Sequence, residues 1–131
     1  MDDRIVAELA LLRKDHSDLE YQPEGRWVRI PLYPLPEGWN RRETDAVFQI
    51  PVGFAGTPPY GIYVPQGVLY REARPNNYTE PAPVQPPFGG SWGVFSWTPD
   101  ESQWRPAADV VTGSNLRGFV RSFADRFQEG V

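Results

Sequence analysis

Proline dictates where this chain can hold regular structure. Fifteen prolines and twelve glycines are distributed over 131 residues, and a proline inside a helix or a central strand removes a backbone donor that the ladder needs. Helical periodicity therefore survives only toward the two ends. At the start, Ile5, Leu9 and Leu12 stand at i, i+4 and i+7, with Asp2 and Asp3 leading and Arg13 and Lys14 trailing, the charge order that a helix dipole favours. At the far end Ser114 offers a cap to a segment whose Leu116, Phe119, Val120, Phe123 and Phe127 recur at helical spacing, with Arg117, Arg121 and Arg126 mostly on other faces. One amphipathic helix at each end is the expectation.

The middle reads as short extended pieces. Residues 19–22, a turn at Pro23-Glu24-Gly25 and the alternating Trp27-Val28-Arg29-Ile30 form a hairpin pattern. Pro31, Pro34 and Pro36 then limit regular ladder pairing and suggest that the second strand ends, bulges or runs along an edge. A further strand is expected over residues 44–50, with Ala46, Phe48 and Ile50 on one face, after a loop with turn chemistry at Glu37-Gly38-Trp39-Asn40. Residues 51–59 are too rich in Gly and Pro for helix or central strand, and residues 60–64 read as the next strand. Residues 71–93 carry Pro75, Pro81, Pro83, Pro86, Pro87, Gly89, Gly90 and Gly93, a long irregular stretch of the kind that is usually functional or mobile in a small domain. The order predicts an α+β domain over residues 1–131, with helices packed on one antiparallel sheet of about four strands.

Composition narrows the chemistry. Aromatic residues make up 14% of the chain, with five Trp, six Tyr and seven Phe, and each such ring buries roughly 150–250 Å² in a core. Cysteine is absent, which excludes thiol nucleophiles, thioesters, disulfides and Cys-based zinc sites. His16 is the one histidine, so a multi-histidine metal cage is excluded too. No metal or cofactor is expected. A net charge of −4 and a pI near 5.0 argue against a nucleic-acid partner. No apolar run approaches the ~20 residues that span a bilayer, and Met1-Asp2-Asp3-Arg4 lacks the order of a signal peptide. The expectation is a cytoplasmic protein with no membrane partner.

Three local patterns, taken with the element order, resemble the ubiquitin-conjugating-enzyme-like (UBC-like) superfamily, and most closely its divergent bacterial branch called family E. Phe48-Gln49-Ile50-Pro51-Val52-Gly53-Phe54-Ala55-Gly56-Thr57-Pro58-Pro59 is similar to the strand followed by Pro-x-x-Tyr-Pro-x-x-Pro-Pro in that fold, with Phe54 for Tyr and Ala55 for Pro. In the conjugating enzymes Trp-x-Pro-Ala commonly follows eight residues after the catalytic cysteine. Trp104-Arg105-Pro106-Ala107 match it here, and Ser96 stands at the cysteine position. Arg74-Pro75-Asn76 resembles the His-Pro-Asn tripeptide whose asparagine polarises the thioester carbonyl. Arg74 replaces His, and the tripeptide lies about twice as far before the nucleophile as the family spacing, so Asn76 reaches Ser96 only if the loop between them folds back. Asn77 is an equally good candidate.

The resemblance implies an acyl-transfer pathway, with a ubiquitin-like protein and an activating-enzyme-like protein as partners. The activating protein would be expected to dock on the first helix and the turn at residues 30–37. A serine in the cysteine position needs a base and yields a less reactive oxyester. Asp100 and Glu101 are the nearest carboxylates in sequence, and burial would have to raise their pKa considerably before either served as a base. His16 is the better base chemically, but the resembled fold places it in a surface turn far from Ser96. Two functions remain open: a bacterial conjugating-enzyme-like transferase that carries the acyl group as an oxyester on Ser96, with Asn76 and Asp100 assisting, or a catalytically inactive UBC-like variant that binds a ubiquitin-like protein or an activating partner. The residues also allow the bland readings, in which Ser96 is a turn serine, Asn76 sits in an Asn-rich turn and the two carboxylates are solvated. A third reading takes Trp27, Trp39, Trp92, Trp97 and Trp104 as a stacking platform for sugars or peptides.

Overall fold

A computed structural model describes residues 2–100 and 102–131. Among them, helix α1 (Asp3–Leu12) is followed by strands β1 (Glu20–Gln22), β2 (Trp27–Pro34), β3 (Glu43–Gln49), β4 (Ile62–Pro65), β5 (Tyr78–Thr79) and β6 (Trp92–Phe95), then helices α2 (Leu116–Arg121) and α3 (Phe123–Glu129). The strands form one antiparallel sheet in the order β1-β2-β3-β4-β6-β5. The domain is α+β. Its sheet has six strands where the sequence suggests about four, because β5 and β6 lie in or at the end of the stretch that its prolines and glycines mark as irregular. Two residues of β5 are too few to show an alternation, and Gly93 interrupts the pattern of β6.

The first helix forms as its spacing predicts. Asp2 caps it, its Oδ1 accepting the Arg4 N–H at 2.7 Å, and Ile5, Leu9 and Leu12 are buried. β2 runs further than expected, through Pro31 to Pro34. Two of the outcomes that the prolines allow occur together: the register against β3 shifts between Ile30 and Tyr33, and β1 pairs only with residues 27–29, so the prolines fall where β1 no longer needs donors. Leu32 sits at the shift with φ 56°, a left-handed conformation costly for a leucine. The C-terminal helical stretch is capped by Asn115, whose Oδ1 accepts the Gly118 N–H at 2.8 Å, while Ser114 Oγ accepts the Arg105 N–H at 2.9 Å. It breaks at Ser122, which closes α2 and opens α3.

Both faces of the sheet are covered, unequally. Toward the helices, Val28, Ile30, Ala46, Phe48, Ile50, Ile62 and Phe95 pack with Leu9, Leu12, Leu116, Phe119, Val120, Phe123 and Phe127 in one continuous core, a layer of helices on a sheet. Ala46, Phe48 and Ile50 face it together, as their period of two requires. On the opposite face Trp27, Val47 and Trp92 form a small separate cluster, flanked by Tyr63 and Phe88. The segment 81–91 lies against this cluster and supplies Phe88.

Candidate functional site

The chain between Asn76 and Ser96 folds back through β5. This strand pairs with β6 in the register Tyr78↔Phe95 and Thr79↔Val94, and one position further on the Ser96 N–H donates to the Asn77 carbonyl at 2.8 Å. The loop after Arg74-Pro75 thus folds back onto β6, and Asn77 lies directly across the ladder from Ser96. Asn77 holds φ 55°, a left-handed conformation that asparagine adopts more readily than most residues. Its neighbour Asn76 is fixed from behind: its carbonyl accepts a hydrogen bond from Arg126 Nη2 at 2.7 Å. Arg126 is 2% exposed, lies 4.6 Å from the centre of the Phe95 ring and makes no carboxylate ion pair among the described residues. Burial pushes its pKa below the usual guanidinium value, yet arginine keeps its charge in such sites. Backbone carbonyls and a ring face solvate the buried cation.

Ser96 and both asparagines are exposed. No hydrogen bond of the Ser96 hydroxyl occurs among the described residues. Phe95 and Trp97, on either side of it, both pack against the helix-side core, so the pleat turns Ser96 to the opposite face. A cleft of ≈ 240 Å³ opens on the helix side between Trp97, Trp104 and α2. Trp97 Nε1–H donates to Ser122 Oγ at 3.0 Å and Trp104 Nε1–H to the Ala55 carbonyl at 2.7 Å. The landmark tryptophan therefore ties the Gly-Pro loop to the segment after β6, while the serine faces away from the cleft that this tryptophan lines.

Asp100 does not meet the requirement for a base. Its Oδ1 accepts the Ser102 N–H at 2.9 Å and the Ser102 hydroxyl at 2.8 Å. Those bonds hold the exposed carboxyl below the ordinary carboxylate range, the opposite of the shift that base catalysis on a hydroxyl needs. The physical reason is local: an aspartate two residues before a serine closes a turn on itself more readily than it reaches back to Ser96. Glu101 lies outside the described residues. His16 sits in the turn after α1, half-buried, with its ring stacked on Tyr33 at 5.9 Å, and burial lowers its pKa against the pull of Asp15 and Asp18. The tryptophan platform is not formed either, since Trp27, Trp39, Trp92 and Trp104 are all buried.

Two buried charges went unread in the sequence although their positions signal them. Arg126 falls at i+7 from Phe119 and i+3 from Phe123, on the apolar stripe of the C-terminal segment, and Glu8 falls at i+3 from Ile5 on that of α1. Glu8 is 0% exposed. One carboxylate oxygen accepts the Leu116 N–H at 2.8 Å, the first amide of α2, and the other accepts Arg4 Nε–H at 2.9 Å. Arg4 also donates to the Ala107 carbonyl, so this pair fastens α1 to the start of α2 and to the loop after Trp104.

Among the described residues no cluster of His, Asp or Glu has the make-up of a metal site, and no helix is long and apolar enough to cross a membrane. Comparison with known proteins gives no match: no family model, no curated protein and no solved structure matches the chain.

Proposed function

We propose that this chain is a cysteine-less UBC-like domain that binds a ubiquitin-like protein or an activating-enzyme partner without carrying the acyl group itself. The observation that carries this choice is the state of Asp100, whose exposed carboxylate is committed to Ser102 and held below the usual range, leaving Ser96 with no described base. The family reading is supported by the helix-first order, by the β1-β2-β3-β4 run of neighbouring antiparallel strands, and by the anchoring of Trp104 on the loop before Pro58-Pro59. The test incubates the full chain with a ubiquitin-like protein and its activating enzyme. Expected is a non-covalent complex, seen by gel filtration, that Ser96→Ala leaves intact. A hydroxylamine-labile adduct that disappears in Ser96→Ala overturns the binding role.

One observation favours the transferase reading as the second. The returning loop sets Asn77 opposite an exposed Ser96, with the Asn76 backbone clamped by Arg126. An oxyester on Ser96 would form by transfer from a similar ester on the activating protein, a nearly thermoneutral exchange that needs no thiol.

A further inference from the structure

The small aromatic cluster on the outer face of the sheet is covered by a segment held in an unusual way. Residues 83–90 make no backbone–backbone hydrogen bond among the described residues. Four prolines in the segment 81–91 have no N–H to give, and its tip, Gly89-Gly90, takes φ 77° and 73° with open space where a β-carbon would project from either residue. Ala82 and Pro86 are buried, Phe88 packs on the aromatic cluster, and one side chain supplies three of the segment's hydrogen bonds. Gln85 Nε2 donates to the carbonyls of Ala82 at 3.0 Å and Trp92 at 3.1 Å, and Gln85 Oε1 accepts the Trp92 N–H at 2.8 Å. The amide thereby occupies the place on β6 that a backbone strand would take beyond the end of β5. Three further bonds attach the segment: the Ala82 N–H to the Trp92 carbonyl at 2.8 Å, the Trp92 indole N–H to the Gly89 carbonyl at 2.7 Å, and the Gln66 N–H to the Ser91 carbonyl at 3.0 Å.

We infer that residues 81–91 form a strap that opens as one unit, with Gln85 as its latch, and uncovers Trp27, Val47 and Trp92. Gln85 is exposed while its bonds are only part-buried, so water reaches the latch from its outer side. A cleft of ≈ 400 Å³, lined by Trp27, Gln49, Val84, Gln85 and Pro87, already separates the strap from the β1–β2 hairpin. Underneath, Trp27, Val47 and Trp92 are 5%, 0% and 3% exposed, and an opened strap turns them into an aromatic patch on a sheet whose other face stays packed. Segments with few buried contacts and solvent-reachable hydrogen bonds open below the global unfolding free energy. The device is independent of the UBC-like reading.

Hydrogen exchange by NMR on the full chain tests it. Three reporters sit on the strap's attachments: the Ala82 N–H, the Trp92 N–H and the Trp92 indole N–H. In the wild type all three share one protection factor, at least about tenfold below that of the β2–β3 ladder amides. Gln85→Ala lowers the protection of all three by about a further tenfold, the order expected for loss of the latch's hydrogen bonds, and leaves the ladder unchanged. Exchange of the reporters at the ladder's rate, unequal protection among the three, or a Gln85→Ala effect that is absent or equal in the ladder would overturn the strap.

Discussion

The two faces of the sheet are held by different physics. Toward the helices, apolar side chains from the sheet and all three helices interlock, and the two buried ionisable groups admitted there, Glu8 and Arg126, each have hydrogen-bond partners across elements. On the far face three buried residues lie under a strap held largely by hydrogen bonds, three of them from one exposed glutamine. The first arrangement draws on packing that water cannot replace, the second on hydrogen bonds that water can. The candidate site straddles this divide: Ser96 lies with the weakly held face, while its neighbours Phe95 and Trp97 anchor in the strongly held one.

Substitutions can be ranked by how sharply they separate the faces. Phe119→Ala, at the centre of the helix-side core and in edge contact with Phe48 and Phe123, should cost about 3–5 kcal/mol in urea denaturation. Glu8→Ala should cost a similar amount, about 3–5 kcal/mol, because it strands Arg4 and the Leu116 amide in the interior. On the outer face Val47→Ala should cost about 2 kcal/mol, from its lost methyl groups and a cavity the mobile strap can partly fill. A loss from Val47→Ala as large as that of Phe119→Ala would mean that the two faces are equally rigid.

The next effects concern pH. Burial raises the Glu8 pKa, so this group's contribution to stability is complete below its unfolded value, about 4.3, and is lost as pH rises through its folded value. Asp15 is opposite in sign. Its hydrogen bond from Arg117, with help from Arg121, holds the carboxyl well below the usual range, so its contribution is present above about pH 3.9 and is lost as pH falls toward the folded value. Glu8→Gln should therefore flatten the loss of stability on the alkaline side, and Asp15→Asn the loss on the acid side, in thermal melts across pH 2–8. The Asp15 effect should shrink in high salt, since its partners are surface groups. Smallest of all, Ser96→Ala should change stability by no more than about 0.5 kcal/mol, as befits an exposed hydroxyl without a described bond.

Much of this architecture was legible because it rests on spacing. Ile5, Leu9 and Leu12 specify one buried stripe wherever the helix packs, and Ala46, Phe48 and Ile50 specify one buried face of a strand. Pro31 and Pro34 announced an irregular second strand for the same reason, a missing donor. The segment 71–93 was not legible. β5 exists only because Tyr78 and Thr79 find β6 to pair with, and the first residue of β6, Trp92, is paired by a glutamine side chain, which no periodicity encodes. Ser114 and Asn115 are both good caps, and the choice of Asn115 depended on Arg105 taking the Ser114 hydroxyl. Likewise Asp100 reads as a free carboxylate until the chain turns and hands it Ser102.

The sequence by itself settled that no thiol chemistry occurs here, that helices sit at the two ends and that extended segments lie between them, because atom types and residue periods are local properties. Tertiary structure alone decided that the loop returns so that Asn77 faces Ser96, that Ser96 turns away from the Trp97–Trp104 cleft, and that Glu8 and Arg126 find hydrogen-bond partners inside the core. Each of these depends on which distant group arrives as a partner, and the free energy of a polar group is fixed by that partner and not by its own neighbours in the chain.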